Sequence, residues 1–440
     1  MPVDQSVLQE AYRALGDIPL EPGSRYYEDV YAAQHDEESP IEVIKRKILW
    51  EGSEGVHLIS GFRGSGKTTE LKRMKAALEQ ENCFVIMADA LDYINPAAVI
   101  EITDLLVAMA GAFNDQLDFA GWKKQGYWDK IRKFLTTQIH FSEVNLEAGI
   151  PENPFLSAKL NIKGELRDSP SLRKLMQNML KNHISALKNQ TDKSFEEAVK
   201  KIRQTHKDQK VIFIFDSLEK LRGSSSEQAN IQKSIELLFS DHLAELEIPY
   251  VHVVYTVPPW LKLRVPNLAS SELLRLIPSV KQKNRDGTDY PKGTTSLRNL
   301  LKRRLGDKNF KIIFGNDNTL VDQLVKYCGG HFRDLLLLAR QVLLRASRLD
   351  TLPVNQAEID HALNEVRRDY LPISMQDAIW LKKIIETHDA HMENNEESAS
   401  RLSTLLDAHA VLFLKNGDEW YDVHPLIQAE VERIVKQSNQ

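Results

Sequence analysis

Short, continuous apolar runs separated by amphipathic stretches dominate the first two thirds of the chain. Five runs are predicted to be strands: GVHLIS (55–60), CFVIMADA (83–90), VIFIF (211–215), YVHVVYT (250–256) and LLRLI (273–277). The segment after the first run places Leu71, Met74 and Leu78 on one face of a helix. Such runs with helices between them predict an α/β fold whose parallel sheet is covered on both faces.

A stretch of about 120 residues separates the second and third predicted strands, which is more than a simple crossover needs. Apolar and polar residues alternate on both sides of the turn Pro151-Glu152-Asn153-Pro154. This alternation predicts an inserted β-hairpin at about 142–166. The pattern leaves open whether the hairpin packs on its own domain or contacts a partner.

After about residue 285 the pattern becomes helical. Candidate helices are 297–305, 317–328, 332–347 and 355–368, followed by two more in the tail. The run AVLFLKNGDEWYDV then holds Asn416-Gly417 between two strand-like segments, and a last helix is predicted at 426–436. The predicted domains are an N-terminal entry segment (1–45), an α/β core (46–285), a helical lid (286–369) and a winged-helix-like module (370–440).

Composition and charge narrow the classes of protein. The 440 residues predict two to four modules, and 57 basic against 62 acidic residues provide no global basic field for nucleic acid. Cys83 and Cys328 are the only cysteines, no apolar run approaches the ~20 residues of a membrane span, and the first residues lack an apolar signal region. We therefore expect a reduced, cytoplasmic protein without a membrane segment.

The segment from Gly61 to Thr68 fits the pattern G-x-x-x-x-G-K-[ST] between a predicted strand and a predicted helix. Glycines let the backbone N–H groups turn toward phosphate oxygens, and the helix N-terminus adds partial positive charge. Lys67 is expected to neutralise the β- and γ-phosphates, and the Thr68 hydroxyl to bind magnesium. The predicted cofactors are ATP and magnesium, and the predicted nucleotide-binding residues are Gly61, Arg63, Gly64, Ser65, Gly66, Lys67, Thr68 and Thr69.

A carboxylate follows the third predicted strand, in VIFIFDSLEKL. Asp216 is predicted to be the second magnesium ligand, beside Thr68. Ser217 stands where a catalytic Glu commonly follows, so hydrolysis is expected to be slow, and Glu219 is the candidate for positioning water. The alternative for Glu219 is a structural role, for example a surface salt bridge with Lys220 or Arg222.

Two further polar residues are candidates for the catalytic site. Thr256 ends the fourth predicted strand, where its hydroxyl either contacts the γ-phosphate or water or caps the strand. Arg333, in Gly329-Gly330-His331-Phe332-Arg333-Asp334, begins a predicted lid helix and either turns back to the nucleotide or is an ordinary surface arginine.

The order of these motifs resembles AAA+ ATPases of the origin-recognition type and STAND signalling ATPases. The carboxylate three positions after Asp216 looks more like STAND, and YTVPPWL, GGHFRDLLLL and EWYDVHPLI resemble bacterial AAA-family ATPases found in conflict and defence contexts. The resemblance implies a slow ATPase that switches assembly or a separate effector protein, acting as a homo-oligomer or with that partner. Arg264 is the weak candidate for its arginine finger.

Two other functions remain open. One is a DNA-associated ATPase of the origin-loading or transposition-regulating type, and the other is a nucleotide-binding scaffold that does not hydrolyse ATP. Residues 371–440 hold six cations against twelve carboxylates, a net charge of 6 minus 12, or −6, which disfavours DNA for this module.

Overall fold

The computed structural model describes residues 4–31, 39–118, 126–137, 155, 161–224, 226–270, 272–393 and 395–438. Contacts between Cα atoms divide the chain into two compact units. The first unit comprises residues 1–43, 61–73 and 276–440, and the second comprises residues 44–60 and 74–275. The glycine-rich segment 61–68 therefore groups with the helical C-terminal half of the chain.

Five strands form the main sheet, in the order β2-β3-β4-β1-β5. Their bounds are Val56–Gly61 (β1), Phe84–Asp89 (β2), Val211–Asp216 (β3), His252–Val257 (β4) and Leu274–Ile277 (β5). The pairs β1–β4, β2–β3 and β3–β4 are parallel. Every residue of β1, β3 and β4 is buried, as expected for strands covered on both faces. All five predicted strands are confirmed.

Helices of the second unit pack around this sheet. They are Ile102–Asp115, Gly126–Thr137, Ile162–Asp168, Pro170–Leu180, Ile184–Thr205, Gln228–Ser240, Leu261–Arg264 and Pro266–Ser270. Helix Ile102–Asp115 begins with a capping box in which Glu101 and Asp104 satisfy each other's backbone N–H groups. Its residues from Ile102 to Asn114 are all buried, so it is a central helix of this unit.

The prediction of a hairpin at about 142–166 falls mostly outside the described residues. Its last part is wrong, because Ile162 begins a helix and does not continue a strand. The Asn161 side chain caps that helix by accepting the N–H of Gly164. Ile162 and Leu166 are four positions apart and both buried, which is the spacing of one face of a helix. The alternation of apolar and polar residues was therefore not a strand signal at this end of the segment.

The first unit is helical outside the glycine-rich segment and the C-terminal hairpin. Its helices from residue 276 onward are Pro291–Leu305, Asp307–Phe314, Thr319–Tyr327, Phe332–Ala346, Gln356–Arg367, Met375–Thr387, Glu396–Asp407 and Pro425–Ser438. Each helix predicted in the lid is present, and Asp307–Phe314 is an additional one. Gly306, whose φ is +75°, separates it from the preceding helix, Pro291–Leu305.

The C-terminal residues contain two helices, a β-hairpin and a last helix, in the predicted order. Strands Val411–Asn416 (β6) and Asp418–Val423 (β7) pair antiparallel around Gly417, whose φ is +75°. Trp420 is buried against Leu412 and Leu414, so it belongs to the core of this module.

The described residues also form three further helices, Gln5–Ala14, Pro40–Trp50 and Lys67–Gln80, and short 3₁₀ turns such as Leu218–Lys220. Among the described residues, no helix combines the length and the hydrophobicity needed to cross a bilayer. The fold is that of an AAA+ type P-loop NTPase. Three features define it: β1 leads through a glycine loop into a helix, the strand order is 2-3-4-1-5, and a helical region follows the sheet.

Candidate nucleotide-binding site

The glycine loop connects β1 with helix Lys67–Gln80. Gly64 and Gly66 have φ values of +82° and +84°, in the left-handed region where a Cβ atom is strained. A Cβ at Gly64 would also lie 2.6 Å from Cβ of Arg333. Glycine is therefore required at Gly64 both by the backbone conformation and by the close approach of the lid.

Lys67 lies inside this loop and is 3 % exposed. Its ammonium group donates to the carbonyl oxygens of Gly61 and Phe62 at 2.9 and 2.8 Å. Both acceptors are backbone carbonyl oxygens, so these two bonds hold the ammonium group inside the loop. A cation on a loop at a helix N-terminus is the arrangement that binds phosphate.

The N-terminal segment packs along the same loop. The Tyr31 hydroxyl donates to the Ser65 carbonyl at 2.7 Å, and the backbone N–H of Leu20 donates to Oγ1 of Thr69 at 3.0 Å. The Thr69 hydroxyl, predicted to bind nucleotide, is thus engaged by the N-terminal segment. The sequence reading missed this packing; the tyrosines among polar residues at 26–31 were its available signal.

The lid contacts the loop through the start of helix Phe332–Ala346. His331 Nε2 donates to the Arg63 carbonyl at 2.5 Å, and His331 Nδ1 donates to Oδ2 of Asp334 at 3.0 Å. The two ring nitrogens of His331 thus connect the loop backbone with the first turn of the lid helix. The sequence did not single out this residue.

Arg333 is the second residue of helix Phe332–Ala346, which confirms its predicted place at a helix start, and its Cβ lies beside Gly64. Its Nε atom donates to Oδ2 of Asp17 at 2.5 Å, and both side chains are partly exposed. The guanidinium group of Arg333 therefore forms an ion pair with the Asp17 carboxylate in this structure. Asp17 was not a candidate from the sequence, since nothing in its local pattern indicates a partner 316 positions away.

Asp334 joins the lid to the C-terminal module. Its Oδ2 atom accepts from His331, from the Tyr370 hydroxyl at 2.8 Å and from Nε2 of His424 at 3.2 Å. Nδ1 of His424 accepts the N–H of Leu426, which fixes the proton on Nε2. Burial raises the pKa of Asp334, but its partners His331 and His424 outweigh burial and hold the pKa well below the usual value.

Asp216 is the last residue of β3, in the second unit. Asp216 is 2 % exposed, and Ser217 after it has a φ of +82°, a strained value for a residue with a side chain. The Ser217 N–H lies 2.8 Å from Oδ1 of Asp216 and 2.6 Å from Oγ1 of Thr256. Strands β3 and β4 are neighbours in the sheet, and the bond from the Ser217 N–H to the Thr256 hydroxyl joins their ends.

Glu219 is also buried, at 3 % exposure, in the 3₁₀ turn that follows. Glu219 is therefore not a surface residue, and the ammonium of Lys220 donates to Oγ of Ser217 at 2.8 Å. The two alternatives for Glu219, positioning water or a structural role, both place its carboxylate inside the protein.

Arg264 is not available as an arginine finger. Its side chain is 1 % exposed and lies 2.7 Å from Oε2 of Glu236 through both Nε and a terminal nitrogen. A residue that reaches into a neighbouring subunit must be exposed, so this candidate is wrong. The sequence did not indicate this ion pair, because Glu236 is 28 positions from Arg264.

No family model and no curated protein matches the chain. Among solved structures, it is similar to the Aeropyrum pernix ORC2 protein in its ADP form (12 % identity, 97 % of this chain and 98 % of that chain, TM-score 0.44). It is also similar to the Aeropyrum pernix ORC1 protein in complex with DNA (14 %, 99 % and 97 %, 0.39). A third similar structure is the Thermotoga maritima RuvB Holliday junction branch migration motor (11 %, 92 % and 94 %, 0.32). The fold assignment rests on the sheet order and the glycine loop.

Proposed function

We propose that this chain is an ATP-binding, slowly hydrolysing molecular switch that controls assembly or a separate effector protein. In this proposal the loop 61–69 binds the phosphates, with Lys67 on the β- and γ-phosphates. Thr68 and Asp216 hold magnesium, and Thr256 and Arg333 contact the γ-phosphate or the attacking water. Glu219 positions that water, and Ser217, in place of the common Glu, keeps turnover slow.

One observation carries the switch: a continuous set of hydrogen bonds links the loop to the C-terminal module. It runs from the Arg63 carbonyl through His331 and Asp334 to His424. Asp334, His331 and His424 are all buried, so losing one bond leaves a charged or polar group unsatisfied. That loss costs about 1–3 kcal/mol or more, which favours two discrete arrangements over gradual loosening.

The pair of Arg333 and Asp17 supplies the differential contact that a switch requires. A γ-phosphate at the loop would compete with Asp17 for the guanidinium, since phosphate is the more highly charged acceptor. Binding would then release the N-terminal segment from the lid, and hydrolysis would restore the carboxylate contact. A ligand shifts a two-state equilibrium only through such a difference in contacts.

A protein partner is favoured over DNA for the C-terminal module. Its net charge of −6 opposes approach to a duplex. Met375 and Ile379, four positions apart on helix Met375–Thr387, are exposed, as is Leu371 before that helix. Exposed apolar side chains of this kind are typical of a surface that binds protein.

The DNA-associated ATPase remains the second candidate, in keeping with the DNA complex named for one similar structure. We place the switch in bacterial antiphage defence or related signalling. That setting follows only from the resemblance of YTVPPWL, GGHFRDLLLL and EWYDVHPLI to ATPases of conflict systems.

Hydrogen exchange on the full chain tests the switch. Addition of ATP and magnesium should change the exchange of residues 418–427 in the wild-type protein, and His331→Gln should abolish that change while retaining ATP binding. The control is His361→Gln, a partly exposed histidine outside this set of hydrogen bonds. Unchanged exchange at 418–427 on ATP binding would refute the switch. Phosphate release should be slow, and slower still in Glu219→Gln.

A further inference from the structure

Two buried histidines lie side by side on the main sheet, at the ends of their strands away from the glycine loop. His57 is the second residue of β1, and His252 is the first residue of β4. The register pairs His57 with Val254, so His57 and His252 project from the same face of the sheet. Glu51, which directly follows helix Pro40–Trp50, brings a carboxylate to the same place.

The three donor atoms form a compact triangle. Nε2 of His57 lies 3.4 Å from Nδ1 of His252 and 3.6 Å from Oε2 of Glu51, and the third side measures 4.0 Å. A triangle with these sides has a circumradius of about 2.1 Å, which equals a typical zinc–nitrogen or zinc–oxygen bond. A tetrahedral site with such bonds spaces its ligands about 3.4 Å apart, so only the Glu51 side chain needs a small rotation.

Both rings are buried and lie nearly parallel to each other. His57 is 4 % exposed and His252 is 1 % exposed, and their ring centroids lie 5.7 Å apart at an interplanar angle of 26°. Packing therefore holds both donor nitrogens in place.

The nearby ammonium groups are already paired. Lys47 lies 2.6 Å from the Glu272 carboxylate. Lys210 donates to three carbonyl oxygens, those of Ile48, Leu49 and Glu51. Arg203 in turn pairs with Glu54 at 3.7 Å, so each of these three cations already has an acceptor of its own.

A second group of possible ligands, His331, Asp334 and His409, lies in the other unit. There the two ring nitrogens of His331 are used by Arg63 and Asp334, and Asp334 accepts from three donors. Coordination would break those bonds. The contact between His57 and His252, at 3.4 Å, is by contrast long for a hydrogen bond.

We propose that Glu51, His57 and His252 bind a divalent transition-metal ion of the zinc class, with water as the fourth ligand. Two nitrogens and one carboxylate oxygen suit zinc and disfavour magnesium, which prefers oxygen ligands in octahedral geometry. The ion would join the end of helix Pro40–Trp50 to β1 and β4 and stabilise the second unit. This site is separate from the magnesium site of the proposed ATPase.

The test uses the full chain, freed of metal by chelation and dialysis and kept free of nucleotide. Calorimetric titration with Zn²⁺ should show one site of micromolar or tighter affinity, whereas Mg²⁺ should give none. Titration with Co²⁺ should produce the visible absorption bands of a tetrahedral site. Failure of Zn²⁺ to bind at micromolar concentration would overturn the proposal.

The Glu51→Gln variant locates the ion, and Glu54→Gln is its matched control. Both side chains are 39 % exposed, so neither change should unfold the protein. Replacing an outer partner of a ligand costs about 10–100-fold in affinity, so losing a ligand should weaken Zn²⁺ binding at least tenfold. His252→Gln should abolish the Co²⁺ bands. Equal affinities of Glu51→Gln and Glu54→Gln would place the ion elsewhere and overturn the proposal.

Discussion

Replacing Gly64 by alanine should separate the glycine loop from the lid. The new Cβ atom would lie 2.6 Å from Cβ of Arg333 and 3.1 Å from Cε1 of His331. Cβ of Arg333 is fixed to the backbone of helix Phe332–Ala346, so side-chain rotation cannot relieve the closest contact. Either the loop or the start of that helix must shift, and the hydrogen bond between His331 and Arg63 would lengthen.

Gly287→Ala provides the matched control. Gly287 has a φ of +83°, one degree from that of Gly64, but a Cβ there would meet no atom within 4 Å. Both variants pay about 1–2 kcal/mol for the left-handed conformation. Gly64→Ala adds an overpacking cost of about 1–3 kcal/mol, which should appear as the difference between the two variants.

Urea unfolding of both variants, followed by circular dichroism, measures that difference, and titration with ATP and magnesium measures its effect on binding. Gly64→Ala should unfold at lower urea than Gly287→Ala and bind ATP more weakly, while Gly287→Ala should bind ATP like the wild type. Equal stabilities and equal affinities would show that the lid does not pack against the loop at Gly64, and would refute this account of the contact.

Three further outcomes are expected. Asp216→Asn should weaken ATP binding in magnesium but not in its absence, and equal titrations in both conditions would remove Asp216 from the metal site. Asp17→Asn should tighten ATP binding by no more than about fivefold, because a partly exposed ion pair contributes about 0–1 kcal/mol; weaker binding would show that Asp17 does not compete with phosphate. In fluorescence anisotropy at low salt, the protein with ATP should not bind duplex DNA, and micromolar binding that falls with salt and requires residues 371–440 would favour the DNA-associated function.

The parts of the fold that the sequence predicted depend on local patterns. The strand VIFIF (211–215), the glycine loop and the hairpin around Gly417 each follow from residues that are neighbours in the chain. The helices Asp307–Phe314 and Ile162–Asp168 were not predicted. Both are short, and in a segment of seven or eight residues the apolar positions fit the spacing of a helix and that of a strand or loop about equally well.

The candidate site was predicted less completely. The loop residues and the place of Arg333 at a helix start followed from motif and order, but the partners of Arg333 and His331 did not. Asp17 is 316 positions from Arg333, and His424 is 90 positions from Asp334. Single buried polar residues such as these give no periodic signal, since their role comes from contacts made only in the folded chain.

Calorimetric titration with ATP and magnesium tests the central claim most directly, comparing the wild type with Lys67→Ala and with Lys72→Ala. Lys72 lies on the same helix, but its ammonium group pairs with Glu21 near the surface. The account predicts one ATP site in the wild type, retained in Lys72→Ala and lost in a folded Lys67→Ala protein. A folded Lys67→Ala protein that binds ATP with the wild-type affinity would contradict it.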